Sequence, residues 1–427
     1  MNHSLLRKIH SIFNNSELLK GSLKVFIYKI LSSFIALILS AYITRNYGGA
    51  IAGVYFFITG AVLFLSTICT LGFQSTVLKN TSIKNNADGN AYFIKSLSIV
   101  IIFTTAVGLL GWLYGNILGY THNIFKTYYP FVFISILPFS LLLIYSNYFQ
   151  ARQQFFNSIL ALTMGHQTIL LILFLFIDNF SSYIVLKYYV FSLFLTLFIL
   201  SFKAFYNYKT SSIKKVESVK VILYSSFPIL VTQVIGQVNV FSGQFILSNY
   251  VSSEYLAYYA VSIRICVIMS FFIIAVNKVV ASKFAKYHAN NQHDKLISSV
   301  KSANRLLWIV SLPMLLIIVL FSKQLLNLFG HEFSDYYLVL IIVASGQFIA
   351  SVTGTVIFLL QMTGLQKQLM VNIIISVSFS LIIGIFLVHY YGLYGAAWMT
   401  FISLATTNLL GCITAYKKLK INPFSIF

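Results

Sequence analysis

The chain has 427 residues, of which 59% are hydrophobic and only 9% charged, with a formal net charge of +21. A mean hydropathy of +0.86 excludes a water-soluble domain of this length, so the sequence reads as a polytopic membrane protein. In a soluble protein the net charge would point to nucleic acid or acidic partners; here its location along the chain decides its meaning.

In chain order, the sequence predicts twelve apolar runs, each about the 18 to 25 residues that cross roughly 30 Å of hydrocarbon. They are 23–43, 51–72, 93–115, 128–149, 157–177, 183–202, 221–248, 255–277, 303–321, 336–360, 369–389 and 394–416. Barrel strands would show alternating segments of about ten residues, so these are helices. The first run lacks a small-residue cleavage site and follows three cations, Arg7, Lys8 and Lys20, which reads as a retained anchor. With the N-terminus in the cytoplasm, 23 of the 29 Lys and Arg residues fall in inside segments. Only Arg45, Lys126, Lys187 and Lys323 fall outside. This asymmetry predicts cytoplasmic termini and an even number of spans. The basicity is therefore a topology signal, and no nucleic-acid partner is expected.

The basic connector KAFYNYKTSSIKKVESVK (Lys203 to Lys220) separates spans six and seven. It divides the chain into an N-terminal six-helix lobe (1–210) and a C-terminal six-helix lobe (211–427). A weak repeat supports the division: Asn46-Tyr47 corresponds to Asn249-Tyr250, and the basic loop Gln74 to Lys95 to Asn277 to Lys301. Even span numbers give the two lobes one orientation. Outside connectors are short, leaving no room for an extracellular domain. The three cysteines fall within spans and imply neither a disulfide framework nor metal-ligand spacing. No phosphate-binding loop or nucleotide fold is present, and no cofactor is expected.

Two cations remain inside spans, Lys29 in the first and Arg264 in the eighth, while all eight acidic residues lie in connectors or at span ends. A charge at mid-bilayer is costly and usually faces a bundle interior or a wet cavity. Arg264 shares its face with Ala257 and Ala260, which predicts open space above the guanidinium. Ser22, Lys29, Ser33, Ala36 and Ser40 form one stripe, although Lys29 also lies near enough to the inside surface to snorkel. Gln233, Gln237 and Gln244 share a face of span seven; Gln347, Ser351, Thr355, Asn372, Ser376 and Ser380 add further stripes. Amides and hydroxyls suit sugars and cations suit phosphate, so these residues describe a cavity for an anionic, hydroxyl-rich substrate. The bland alternative is interhelical glue. His166, at the middle of span five, is a candidate for proton coupling or a neutral structural histidine. Pro138, Pro228 and Pro313 are candidate hinges or packed kinks.

NYGGAIAGVYFFITGAVLFLSTICTLGFQSTVLKN, NYVSSEYLAYYAVSIRI with AVNKVVASKFAKYH, and LLQMTGLQKQLMVNI with HYYGLYGAAWMTFIS, taken together, resemble the Wzx-type O-antigen flippases. These form the polysaccharide transporter family of the MOP (multidrug, oligosaccharidyl-lipid, polysaccharide) exporter superfamily. The resemblance implies an all-α membrane fold with twelve helices in two six-helix lobes, the MATE-like MOP fold, in a bacterial inner membrane. It implies translocation of an undecaprenyl-diphosphate-linked oligosaccharide to the periplasmic leaflet by alternating access. Its partners would be that lipid-linked substrate, membrane lipids, and the O-antigen polymerase and chain-length regulator. In related lipid II flippases, cations on the first helix, in the loop that follows and on the eighth helix bind the diphosphate. The matching positions are Lys29, Arg45 and Arg264, although an arginine pair and an acid on the first helix are missing here. A MATE-like drug antiporter is disfavoured because no intramembrane carboxylate is present, and a membrane-embedded glycan polymerase because the outer loops are short.

Overall fold

The computed structural model describes residues 17–83, 86–117, 119, 123–176, 181–205 and 219–422. Residues 206–218 of the connector, and with them the division at 210/211, lie outside that set. The described residues are helical, without a strand among them. Ten helices are long and apolar enough to cross a membrane. Apolar residues surround most of these helices, as expected when one face meets lipid and the other a protein core.

The N-terminal half contains α1 (Glu17–Cys69), α2 (Phe73–Ile83), α3 (Asn86–Ile117) and α4 (Asn123–Ala151). It continues with α5 (Phe155–Ile159), a π-helical turn (Leu160–Met164), α6 (Gly165–Phe174) and α7 (Ser182–Phe205). The C-terminal half contains α8 (Val219–Leu247), α9 (Ser253–Ala289), α10 (His293–Leu320), α11 (Ser322–Asn327) and a 3-10 turn (His331–Tyr336). It ends with α12 (Tyr337–Val352), α13 (Thr355–Met362) and α14 (Gln366–Leu419).

Two predicted pairs of spans are each one helical run. At 53 and 54 residues, α1 and α14 contain about 80 Å of helix each at 1.5 Å per residue, enough for two crossings of the hydrocarbon. Each is broken once at a glycine of non-helical conformation: Gly48 (φ 79°, ψ 167°) and Gly392 (φ 52°, ψ −121°). Only a residue without Cβ adopts such angles readily, so the two glycines divide the runs into antiparallel arms. Other limits move because polar residues join helices beyond the apolar core. The basic loop from Gln74 contains α2, α3 starts at Asn86, α9 continues to Ala289, and α10 begins at His293.

One large buried cluster runs through both halves, from Leu39, Ile43 and Phe57 to Leu256, Val261 and Val343. A smaller one, with Phe284, Leu296, Leu360 and Ala415, closes the opposite end of the C-terminal half. The broadest helix contact in the molecule joins the halves, between α1 and α9. It lies at the Gly48 end of the bundle, where Gly392 also approaches Val251 in the α8–α9 turn. At the other end the halves touch more narrowly, through α2 and α8.

Candidate functional site

The α1–α9 seam is built from small residues. A Cβ on Gly53 would fall 1.6 Å from the backbone oxygen of Ser253 and 3.3 Å from the Ala257 nitrogen, so only glycine fits there. Gly49 and Gly53 form a small-xxx-small pair, the spacing that lets membrane helices approach closely. Ala257 is buried against this surface, and Ala260, one turn further along α9, is buried as well. That corrects the expected open space above Arg264: the alanines are filled contacts, because two helix backbones occupy the room.

Arg264 sits half-buried on α9 at the same seam. Its Nη1 donates a hydrogen bond to Ser40 Oγ, and its guanidinium carbon stands 3.8 Å from the centroid of the Phe56 ring. Ser40 in turn donates to the Ala36 carbonyl at 2.6 Å. Ser40 and Phe56 lie on opposite arms of α1, so one arginine of the C-terminal half holds both arms of the N-terminal half's first helix. No carboxylate pairs with it among the described residues; a ring quadrupole and a hydroxyl take that place.

The other predicted residues divide into three groups. Lys29 is half-buried and lies eleven residues from Ser40 on the same helical face, about 16 Å away along the axis. It forms no hydrogen bond or ion pair among the described residues. Arg45 is exposed at the Gly48 end, where its Nη2 donates to the Asn327 carbonyl at 3.4 Å. It therefore reaches across to the C-terminus of α11 and stands apart from the Arg264 contacts. On α8, Gln233 Nε2 donates to Ser75 Oγ at 3.4 Å, Gln237 is half-buried, and Gln244 packs beside Gly60 of α1. Gln233 Oε1 and Gln244 Nε2 are buried without partners, so both amides keep hydrogen-bonding capacity at the contact between halves.

His166 lies deep in the N-terminal half, directly after the π-helical turn. Its ring meets Phe139 at 5.9 Å and Tyr189 at 6.1 Å, and Tyr189 meets Tyr55 at 5.8 Å. His166 Nδ1 and Tyr189 Oη are both buried without a hydrogen-bond partner. An aromatic chain thus connects His166 to Tyr55, the neighbour of the Phe56 that holds Arg264.

The polar stripes of spans ten and eleven are bridges within the C-terminal half. Thr355 donates to Asn304, Asn372 Nδ2 donates to Thr414 Oγ1 at 2.8 Å, and Ser376 bonds Thr407 Oγ1 at 2.7 Å. Buried hydroxyls and amides need partners, and the second arm of α14 supplies several of them. Sequence reasoning missed Phe56 as a partner of Arg264 and missed the Asn239–Ser403 bond between α8 and α14. The Gly49/Gly53 spacing was the available signal for the seam. Among the described residues no three His, Cys, Asp or Glu side chains group to hold a metal ion, and Cys69, Cys266 and Cys412 are free and buried.

Two halves of apolar helices, joined along α1 and α9, form an all-α fold that is shared with transporters of the MOP superfamily. The chain is similar to an inward-facing multidrug resistance MATE family transporter of that superfamily, at 13% identity and TM-score 0.73, covering 91% of this chain and 94% of that one. It is similar to the lipid II flippase MurJ in an inward closed conformation, at 15% identity and TM-score 0.75, covering 92% and 87%. An outward-facing MATE family transporter matches with TM-score 0.64 at 14% identity, covering 94% and 95%. Residues 18–288 match the polysaccharide biosynthesis protein family, and the chain belongs to that family. No curated protein matches the sequence.

Proposed function

We propose that this multi-pass membrane protein is a flippase. It carries undecaprenyl-diphosphate-linked O-antigen repeat units from the cytoplasmic to the periplasmic leaflet of a bacterial inner membrane by alternating access. The observation that carries the reading is Arg264, an intramembrane cation without a carboxylate partner among the described residues, held at the seam between the two halves. A diphosphate and its sugars cannot cross hydrocarbon unaided. A seam that opens to water around a cation replaces part of their hydration. Lys29 supplies a second charge on the stripe leading to Arg264, and Gln233, Gln237 and Gln244 supply amides for sugar hydroxyls. Arg45, at the Gly48 end, meets the head group on exit.

Each of α1 and α14 crosses twice in this reading, which gives twelve spans, lobes 1–210 and 211–427, and both termini in the cytoplasm. The Gly48 end then faces the periplasm. The family and the fold favour a transporter over an enzyme, and the O-antigen polymerase and chain-length regulator would act on the exported units.

Surface glycan, normalised for membrane protein level, tests the reading in cells carrying Arg264→Ala, Arg264→Gln or Arg264→Lys. Ala and Gln abolish export and Lys restores part of it. Normal export by all three removes Arg264 from the substrate's path.

A further inference from the structure

Among the ten apolar helices, α8 is the least buried, and one of its faces carries an open surface hollow, called the lower cavity below, and a more enclosed upper cavity. The first, about 710 Å³, is formed by Lys220, Leu223, Tyr224, Phe227 and Pro228. The second, about 330 Å³, is bounded on α8 by Val238, Phe241, Ser242, Phe245 and Ile246. At 100° per residue these two sets share one face: position 238 lies five full turns above 220, and each member of one set has a counterpart eighteen residues along. The lower cavity opens beside an exposed cation. Tyr224 is 86% exposed and Phe227 62%, so an aromatic wall stands next to that charge. The upper cavity closes against Ala61, Phe64 and Leu65 of α1, so it sits where the two halves meet. Stacked rings frame it: Phe64 with Phe241 at 6.0 Å and Phe57 with Phe245 at 6.4 Å.

We propose that this face of α8 is the docking track of the lipid carrier, a long-chain polyprenyl phosphate. The phosphate lies at Lys220 and the end of the tail lies in the upper cavity. The inference rests on the flippase reading and adds where the carrier is held. Charge and length select the occupant. The cation marks the headgroup end. From Lys220 to Val238 the track runs about 27 Å, whereas an ordinary acyl chain ends near the bilayer midplane, about 15 Å from the headgroups. Only a chain much longer than an acyl tail fills both cavities at once. Because the upper cavity has one wall on α1 and one on α8, a tail seated there touches both halves and senses their separation.

The test uses the full chain in phosphatidylcholine nanodiscs and a polyprenyl phosphate carrying a diazirine at the end of its tail. Labelled peptides are mapped by mass spectrometry. The expected label falls on 238–246 and on α1 around Phe64, and excess unlabelled polyprenyl phosphate competes it away while phosphatidylglycerol does not. Lys220→Gln lowers the label about fivefold, the weight of one cation at an anionic headgroup. Ser242→Phe, checked for folding by thermal unfolding, removes it by filling the upper cavity. Label spread evenly over lipid-facing helices, equal competition by phosphatidylglycerol, or no effect of Lys220→Gln each overturns the proposal. Specific label confined to the α1–α9 seam overturns the α8 track and leaves the flippase reading intact. Normal surface glycan in cells carrying all three Arg264 variants strikes that reading instead.

Discussion

At the scale of single residues, Arg264 illustrates how a membrane helix carries a permanent charge without an acid. Placing arginine at mid-span costs roughly 2.5 to 3.5 kcal/mol on insertion scales. The Phe56 ring and the Ser40 hydroxyl offset part of that cost. Phe56→Leu removes a cation–π contact worth about 2 kcal/mol when desolvated. The expected result is a seam that opens more often, by a factor on the order of ten. Maleimide labelling of a cysteine at Ala260, which is buried on α9 one turn before Arg264, reads that opening. Unchanged labelling would mean that the ring holds nothing. His166 raises a different question, since its Nδ1 is buried and unpartnered between Phe139 and Tyr189. If it couples protons to transport, His166→Gln abolishes the response of vesicle transport to an imposed pH gradient while leaving downhill transport. A gradient response that survives assigns the ring to packing alone.

At the scale of elements, the close approach of α1 and α9 depends on Gly53. A single methyl there overlaps the Ser253 carbonyl, and helix backbones in a packed interface cannot absorb such an overlap without separating. Gly53→Ala is therefore expected to lower glycan export at least tenfold at normal membrane levels. Gly236→Ala is the matched control, because a Cβ on that α8 glycine meets nothing within 4 Å, and export stays at the wild-type level. Equal effects from both substitutions would remove the seam from the mechanism. Much of this architecture was legible beforehand. Hydropathy located the apolar runs because a bilayer imposes one length on every crossing, and the lack of intramembrane acids singled out Arg264. What the sequence did not disclose were relations between distant segments. A serine stripe looks the same whether it lines water or bonds a neighbouring helix, so Ser376 and Asn372 read as cavity wall until Thr407 and Thr414 are seen beside them. Ala257 and Ala260 carried the same ambiguity: a small side chain marks either a void or a close contact.

For the whole molecule, the asymmetry between its two ends sets the expected cycle. At the Gly48 end the halves meet along α1 and α9, and Arg45 adds a bond to Asn327. At the other end α2 and α8 touch through fewer groups, such as Ser226 with Thr76 at 3.4 Å. Transport by alternating access requires the tighter end to part, and a covalent lock across it must stop the cycle. The geometry offers one site: a Cβ built on Gly49 stands 3.6 Å from the Glu254 Cβ, within the roughly 3.5 to 4.5 Å that a disulfide spans. The three native cysteines are buried and compete little for an exposed oxidant. Gly49→Cys combined with Glu254→Cys is expected to export glycan when reduced, to stop when oxidised, and to recover with reductant, while either single variant ignores the redox state. Export that continues with the bond formed, verified by gel shift, would show that the Gly48 end stays closed throughout and that the substrate passes by another route.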